Sequence, residues 1–388
     1  MRLFDSLKIY SSYRNYYSIK EVIKDLLDFL FFILLRPFSR LHTLRWEQYQ
    51  KKNTVKNVLI VFWGAAGDMI TSSAAIKAVR DAYPGSCITF LGSSSVFQLF
   101  PGQKAVNRFI DYDKARRESI FRLIREIRKI KYDLAVNLKW SSDRAAFMVR
   151  ASGARFTAGS GPRHWQLFYH LKARPAYTTS HQVERFIRIA EALGIERKGL
   201  RPVIELSRES RRMAGTFWKQ KLLNGKKVIM VHPGAKEEYK RWPVRNFTEL
   251  VRQLVRSYPY PVIVAWGPKE HELALSLQRE IRSDRVIVCP ETRNNNELAG
   301  FLKLCKLFTG NCSAPMNVAV AVDTASVVIM GPNNPVVWPP FGAKHRFVIP
   351  DVRCKKCTLP CQEKYICQTS IRVESVLDAV REELDQRV

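Results

Sequence analysis

The chain is 388 residues long and 46% hydrophobic, which is enough for two core-bearing domains and too apolar for a disordered polymer. Its 64 basic against 35 acidic side chains leave a formal charge of +29, which calls for an anionic partner: nucleic acid, an anionic membrane face or a phosphorylated substrate. No zinc-finger spacing, RNP-type aromatic motif or lysine-only tail occurs, so nucleic acid is set aside.

Residues 1–52 differ in pattern from the rest of the chain. Ile19, Val22, Ile23, Leu26, Leu27, Leu30 and Leu34 recur at helical spacing, and Phe29 to Leu35 is an uninterrupted apolar run. That run falls short of the about 20 apolar residues a spanning helix needs, and no small-residue cleavage site comes after it, so neither a transmembrane helix nor a signal peptide is expected. Lys8, Arg14, Lys20, Lys24, Arg36, Arg40, Arg45, Lys51 and Lys52 surround it, the pattern of a helix lying in the headgroup region of an anionic leaflet. Peripheral membrane attachment is the favoured reading, with packing on the protein's own core or a dimer interface as the alternatives.

From Asn57 the string NVLIVFW reads as a strand, followed by the turn Gly64-Ala65-Ala66-Gly67-Asp68 and a helix through Ala74, Ala75, Ala78 and Val79. An aspartate there caps a helix, contributing about 1 kcal/mol. Further strands are predicted at Ile88 to Leu91, Phe109 to Tyr112 and Leu134 to Leu138, alternating with helical patterns, which predicts a parallel sheet. Asn137, Leu138, Lys139 and Arg144 lie just beyond the last of these. The apolar pattern thins around Arg197 to Asn224, so the first domain is placed at 53–205 and the second at 206–370. A closing helix in 371–388 is expected to pack back on the first domain.

The second domain repeats the alternation at Val228 to Val231, Val262 to Trp266, Val286 to Val288, Leu307 to Thr309 and Val327 to Met330. The first of these stops at His232-Pro233-Gly234, and the loop beyond carries Lys236, Lys240 and Arg241 before Trp242-Pro243 opens an amphipathic helix. Open α/β sheets bind ligands outside the carboxyl ends of their strands, and cations there suit a diphosphate, so a nucleotide is the first reading and solvated surface lysines the other. No Walker A string or GxGxxG occurs. Near the end, Cys354, Cys357, Cys361 and Cys367 form two close pairs, read either as a structural zinc or iron site or as thiols without metal.

The string HPGA, then KRWP, then a helix beginning NF resembles the donor-domain signature of glycosyltransferase family 9, the lipopolysaccharide heptosyltransferases. Similar stretches occur in family order over roughly residues 58–371: GD at Gly67-Asp68 with Thr71, RFTAG at Arg155 to Gly159, the helix from His181, Trp266-Gly267-Pro268 with Glu270, and GPNNPVVWPPFGAKHRF at Gly331 to Phe347. The string GNCSAPMN at Gly310 to Asn317 stands where the family has GNDSGPMH, with Cys312, Ala314 and Asn317 departing from it, and Ser73 stands where proline is usual.

The resemblance implies an α/β protein of the GT-B fold, two Rossmann-like domains facing a cleft. It further implies an inverting glycosyltransferase, peripheral at the cytoplasmic face of a bacterial inner membrane, moving heptose from ADP-heptose to a lipid-linked lipopolysaccharide core. Asp68 is implied as general base, and Lys240 with the amides near Ser313 as stabilisers of the departing diphosphate, without a catalytic metal. Donor contacts fall on His232, Pro233, Gly234, Ala235, Lys236, Glu270 (to the ribose, or else a solvated helix start), Asn311, Cys312, Ser313, Ala314 and Asn317. Acceptor contacts fall on Gly67, Thr71, Lys139 and Arg144. The alternatives are a different nucleotide sugar for another surface glycan, or a catalytically weakened sugar-binding or assembly protein.

Overall fold

The computed structural model describes residues 36–94, 105–113, 119–140, 142–174, 180–352 and 365–385, together with positions 23, 26, 27, 30, 33 and 34 of the N-terminal segment. The chain divides into two compact units that meet in sequence between Val203 and Ile204.

The first unit is built on a sheet of β1 (Asn57–Val61), β2 (Cys87–Gly92), β3 (Arg108–Asp111), β4 (Leu134–Asn137), β5 (Phe156–Gly159) and β6 (Leu171–Lys172). The strand order is β3-β2-β1-β4-β5-β6 and every pairing is parallel. Parallel strands covered on both faces are near-continuous apolar runs, and Val58, Leu59, Ile60 and Val61 are all fully buried. The helices are α1 (Arg36–Lys52), α2 (Ala66–Ala82), α3 (Ile120–Arg128), α4 (Asp143–Ala151) and α5 (Gln182–Ala192). Ser119 and Ser142 start α3 and α4, each hydroxyl accepting from a first-turn amide.

Helix α1 corrects the expectation that all of residues 1–52 form a membrane segment. Trp46 is 1% exposed, and its indole Nε1 donates to the Leu193 carbonyl at 3.1 Å. The Tyr49 hydroxyl donates to Asp133 at 2.5 Å, and Gln50 donates to the Tyr83 hydroxyl at 2.8 Å. The last turns of this segment therefore belong to the first unit's own packing.

The second unit repeats the topology with β7 (Ile229–His232), β8 (Val262–Val264), β9 (Val286–Val288), β10 (Leu307–Asn311), β11 (Ala325–Ile329) and β12 (His345–Val348), in the order β12-β11-β10-β7-β8-β9 and parallel throughout. Counted from its own first strand this is the order of the first sheet. Its helices are α6 (Arg208–Gln220), α7 (Val244–Ser257), α8 (His271–Ile281), α9 (Asn295–Leu304), α10 (Ala314–Ala321), α11 (Ile366–Thr369) and α12 (Val373–Asp385). Helix α12, expected to close back on the first domain, belongs to the core of the second unit. Its Val376, Leu377, Val380 and Leu384 enter the second unit's core with Phe247 and Leu250 of α7 and Val327 of β11, and Arg346 of β12 pairs with Glu382 at 2.8 Å. The apolar stripe of α12 is answered by the sheet nearest in sequence.

Candidate active site

Each sheet reverses its strand order between its first and fourth strands, and ligands of such sheets bind outside the carboxyl ends at that point. In the first unit the ends of β1 and β4 meet there. Asp68 lies in the first turn of α2, where the N-cap residue Ala65 makes no side-chain cap bond. The half-buried Asp68 carboxylate accepts from Gln182 Nε2 of α5 at 2.8 Å, and no amide of its own helix donates to it among the described residues. A helix cap is therefore not what this carboxylate does. A Cβ placed on Gly64 would lie 3.3 Å from Asp68 Oδ2 and 3.4 Å from Lys139 Nζ, so a carboxylate and an ammonium converge over a glycine. Asn137, fully buried, accepts from the Lys139 amide at 2.8 Å and donates to the Tyr169 hydroxyl at 2.6 Å, which fixes the loop that carries Lys139.

The other acceptor candidates divide. Gly67 is half-buried in the same first turn, and Arg144 is exposed on α4. Thr71 is 4% exposed and its hydroxyl donates to the Asp68 carbonyl at 2.9 Å, within its own helix. Ser73, in the place of the family's proline, accepts from the Val203 amide at 2.8 Å and so anchors the segment leaving the unit.

In the second unit the ends of β7 and β10 meet. The fully buried Asn311 donates to the carbonyls of Pro233 at 2.9 Å and Gly234 at 3.1 Å, and accepts from the Trp242 amide at 2.9 Å. Its side chain holds the His232–Ala235 turn and the Trp242 loop in register. Arg241 adds a clamp, donating through Nε to the Ala235 carbonyl at 2.7 Å.

Glu270 is 8% exposed, accepts from the Gly267 amide at 2.9 Å, and lies 3.5 Å from the Arg241 guanidinium and 4.0 Å from His232 Nε2. A Cβ on Gly234 would fall 1.9 Å from Glu270 Oε2, so the turn must carry glycine where this carboxylate passes. The solvated alternative for Glu270 is excluded by its burial. His232 is held neutral: burial lowers its pKa, and the charge of Glu270 opposes this only in part.

Lys240 closes a short 3-10 turn, Glu238–Lys240. Among the described residues its ammonium forms no ion pair within 4 Å, whereas many other cations do. Beside it is Cys312, whose thiol burial pushes up to about 12 against the pull of Lys240, and whose Sγ donates to the Trp338 carbonyl at 3.5 Å. A neutral thiol thus stands where the family resemblance places an acid, and the Lys240 ammonium lies 5.6 Å from the centre of the Tyr239 ring. Ser313 opens α10 without a side-chain cap bond, and Ser313, Ala314 and Asn317 are half-buried around that start. Uncapped amides at a helix start suit phosphate oxygens. Lys236 is exposed in the loop beyond Ala235.

Cys354, Cys357 and Cys361 lie outside the described residues, and Cys367 is half-buried in α11. Among the described residues no group of three or more His, Cys, Asp or Glu is placed to hold a metal. Sequence reasoning misses Gln182; an amide in a helix otherwise read for its charges gives no signal until α5 is seen to lie against α2.

The sequence profile described as glycosyltransferase family 9 (heptosyltransferase) matches residues 120–366, more than half of the chain. The chain is 25% identical over 307 residues to lipopolysaccharide heptosyltransferase 2 of Salmonella typhimurium, covering 75% of this chain and 87% of that one. Among solved structures, a glycosyl transferase family 9 protein of Veillonella parvula superposes with a TM-score of 0.74 at 24% identity, covering 85% of this chain and 98% of that one. The ADP-heptose lps heptosyltransferase II of E. coli gives 0.65 at 21%, with 85% and 99% covered. These structural likenesses speak for the GT-B fold. With the profile match, they make this chain a glycosyltransferase: it belongs to glycosyltransferase family 9.

Proposed function

We propose that this enzyme transfers a heptose from ADP-heptose to a hydroxyl of a lipopolysaccharide core acceptor with inversion at the anomeric carbon. The acceptor oxygen attacks that carbon as its proton passes to Asp68, and the bond to the diphosphate oxygen breaks with both electrons leaving on ADP. The Gln182 amide holds the base in position, and Lys139 offers a cation for an acidic acceptor sugar or its phosphate. In the second unit, the Lys240 ammonium and the amides opening α10 meet the charge that grows on the leaving diphosphate. Glu270, beside the His232–Gly234 turn, is the carboxylate available to a ribose diol. Protein cations fill the role that a divalent metal plays in other transferases, so no cofactor is called for.

The observation that carries this reading is Asp68: a half-buried carboxylate at the strand switch point, aligned by Gln182 and not consumed by its own helix. The experiment is Asp68→Asn, which keeps size and hydrogen bonding but cannot take a proton. Transfer falls by about 10² to 10⁴ while ADP affinity stays within twofold. Turnover near the parent's would return Asp68 to a structural role.

Membrane attachment belongs to the same proposal. Ile23, Leu26, Leu27, Leu30, Ile33 and Leu34 are helical and 37% to 72% exposed, spaced along one helical stripe. Among the described residues no helix is long and apolar enough to cross a bilayer. This stripe, with the basic residues around it, attaches the enzyme peripherally to an anionic leaflet, on the cytoplasmic face where a nucleotide sugar is at hand.

A further inference from the structure

We propose that the first unit carries a second anion site, a pocket for a phosphate mono- or diester between α1 and the amino ends of β5 and β6. The cavity has a volume of about 410 Å³ and is lined by His42, Arg45, Tyr49, Lys52, Arg155 and His170 among others. Arg155 immediately precedes β5 and His170 immediately precedes β6, whereas Asp68 and Lys139 follow the carboxyl ends of β1 and β4. The pocket is thus at the end of the sheet opposite the reacting groups and takes no part in the transfer proposed above.

Its charge is one-sided. Arg45, Lys52 and Arg155 are exposed, and among the described residues none of them forms an ion pair within 4 Å. The acid Asp133 feels the charge of Arg155 without pairing with it within 4 Å, its oxygens being engaged by the Tyr49 hydroxyl and by the amides of Lys56 and Asn57 at 2.8 and 3.0 Å. The guanidinium of Arg155 lies 4.7 Å over the Tyr49 ring, which fixes its plane at the cavity wall. The rings of His42 and His170 sit 4.9 Å apart. His170 Nδ1 accepts from the Thr157 amide at 3.1 Å, so its Nε2 carries the hydrogen and is a donor.

Both imidazoles report the field. Burial lowers the pKa of each, and neighbouring charge lowers it further: Lys172 and Arg45 at His42, and at His170 the His42 ring, which resists a second imidazolium beside it, then Arg150 and Lys172, bringing His170 down to about 4. Uncompensated cations around a concave wall of this size are relieved by a bound anion, and guanidinium with imidazole and ammonium donors suits phosphate oxygens. The phosphate can belong to a lipid headgroup or to a soluble ester. Because α1 follows the exposed apolar stripe in the chain, the headgroup is the favoured source.

The test uses the full chain and the double variant Arg45→Glu/Lys52→Glu, whose side chains are exposed and whose fold is checked by circular dichroism. Glycerol 3-phosphate is titrated while the His42 and His170 imidazole signals are followed by NMR. Binding to vesicles of phosphatidylglycerol or of phosphatidylcholine is measured alongside. The parent's imidazole signals shift with glycerol 3-phosphate, and the variant requires at least roughly tenfold more ester for the same shift. If the natural source is a headgroup, phosphatidylglycerol binding also falls in the variant and glycerol 3-phosphate competes with it. If the source is a soluble ester, vesicle binding is unchanged while the imidazole response still weakens. Imidazole signals that ignore the ester, or respond equally in parent and variant, overturn the site whatever the vesicles do.

Discussion

Removing residues 1–34 and removing residues 1–52 have opposite consequences for this chain. The shorter deletion takes away the exposed stripe of Ile23 to Leu34 and leaves α1 in place. The longer one also removes Trp46, which is 1% exposed, bonded to the Leu193 carbonyl, and edge-on to Phe156 with ring centroids 5.0 Å apart. Losing a buried tryptophan costs about 3–5 kcal/mol. The Tyr49–Asp133 and Gln50–Tyr83 hydrogen bonds add about 1 kcal/mol each. The sum, about 5–7 kcal/mol, is comparable with the whole stability of a domain at about 5–15 kcal/mol. Urea unfolding followed by circular dichroism, with co-sedimentation on phosphatidylglycerol vesicles, separates the two. The 1–34 deletion keeps the parent's unfolding midpoint and loses most vesicle binding; the 1–52 deletion unfolds at markedly lower urea or fails to fold. A 1–52 deletion with the parent's midpoint would refute the assignment of α1 to the first unit's core.

Lys240→Ala removes the ammonium. A charge-assisted bond of about 1.5–3 kcal/mol predicts ADP binding weaker by about 10- to 100-fold in calorimetry, with acceptor affinity unchanged; loss of acceptor affinity alone contradicts the placement. Gln182→Leu frees the Asp68 carboxylate, so kcat drops by about tenfold while ADP affinity and thermal midpoint stay close to the parent's. A lowered midpoint with normal kcat would make Gln182 a packing residue only. His170 is held near 4 against an ordinary 6.5, so the unfolded chain takes up the proton first as pH falls. Its contribution is complete above pH 6.5 and is lost between 6.5 and about 4; because the ring is only half-buried, solvent screening keeps the change below the nominal value of about 3 kcal/mol. The unfolding free energy of the parent should therefore fall more steeply over that window than that of His170→Gln, and parallel curves would count against it.

The central strands were legible because burial on both faces leaves an apolar run, as in Val58–Val61 and Ile229–Val231. The edges were not: β6 is two residues long, and β12, reading HRFV, mixes charge into a strand that among the described residues pairs only with β11. The amphipathic pattern of α12 showed a face to be buried without showing that the core of the second unit takes it. Motif strings located the turns but not the burial of their members. Thr71 and Asn311 stand in those strings, yet one hydroxyl bonds its own helix and one amide donates to loop carbonyls. Trp46 was hidden inside a segment whose basic residues dominate its reading, and its partner Leu193 lies far along the chain.

Heptosyl transfer from a nucleotide donor is tested most directly by mass spectrometry of a lipopolysaccharide core acceptor after incubation with the purified chain and ADP-heptose, without added metal. The expected result is an acceptor heavier by one heptose residue, one ADP released per transfer, and both products formed about 10² to 10⁴ more slowly with Asp68→Asn. An acceptor of unchanged mass with ADP-heptose, together with extension by a different nucleotide sugar under the same conditions, would contradict it.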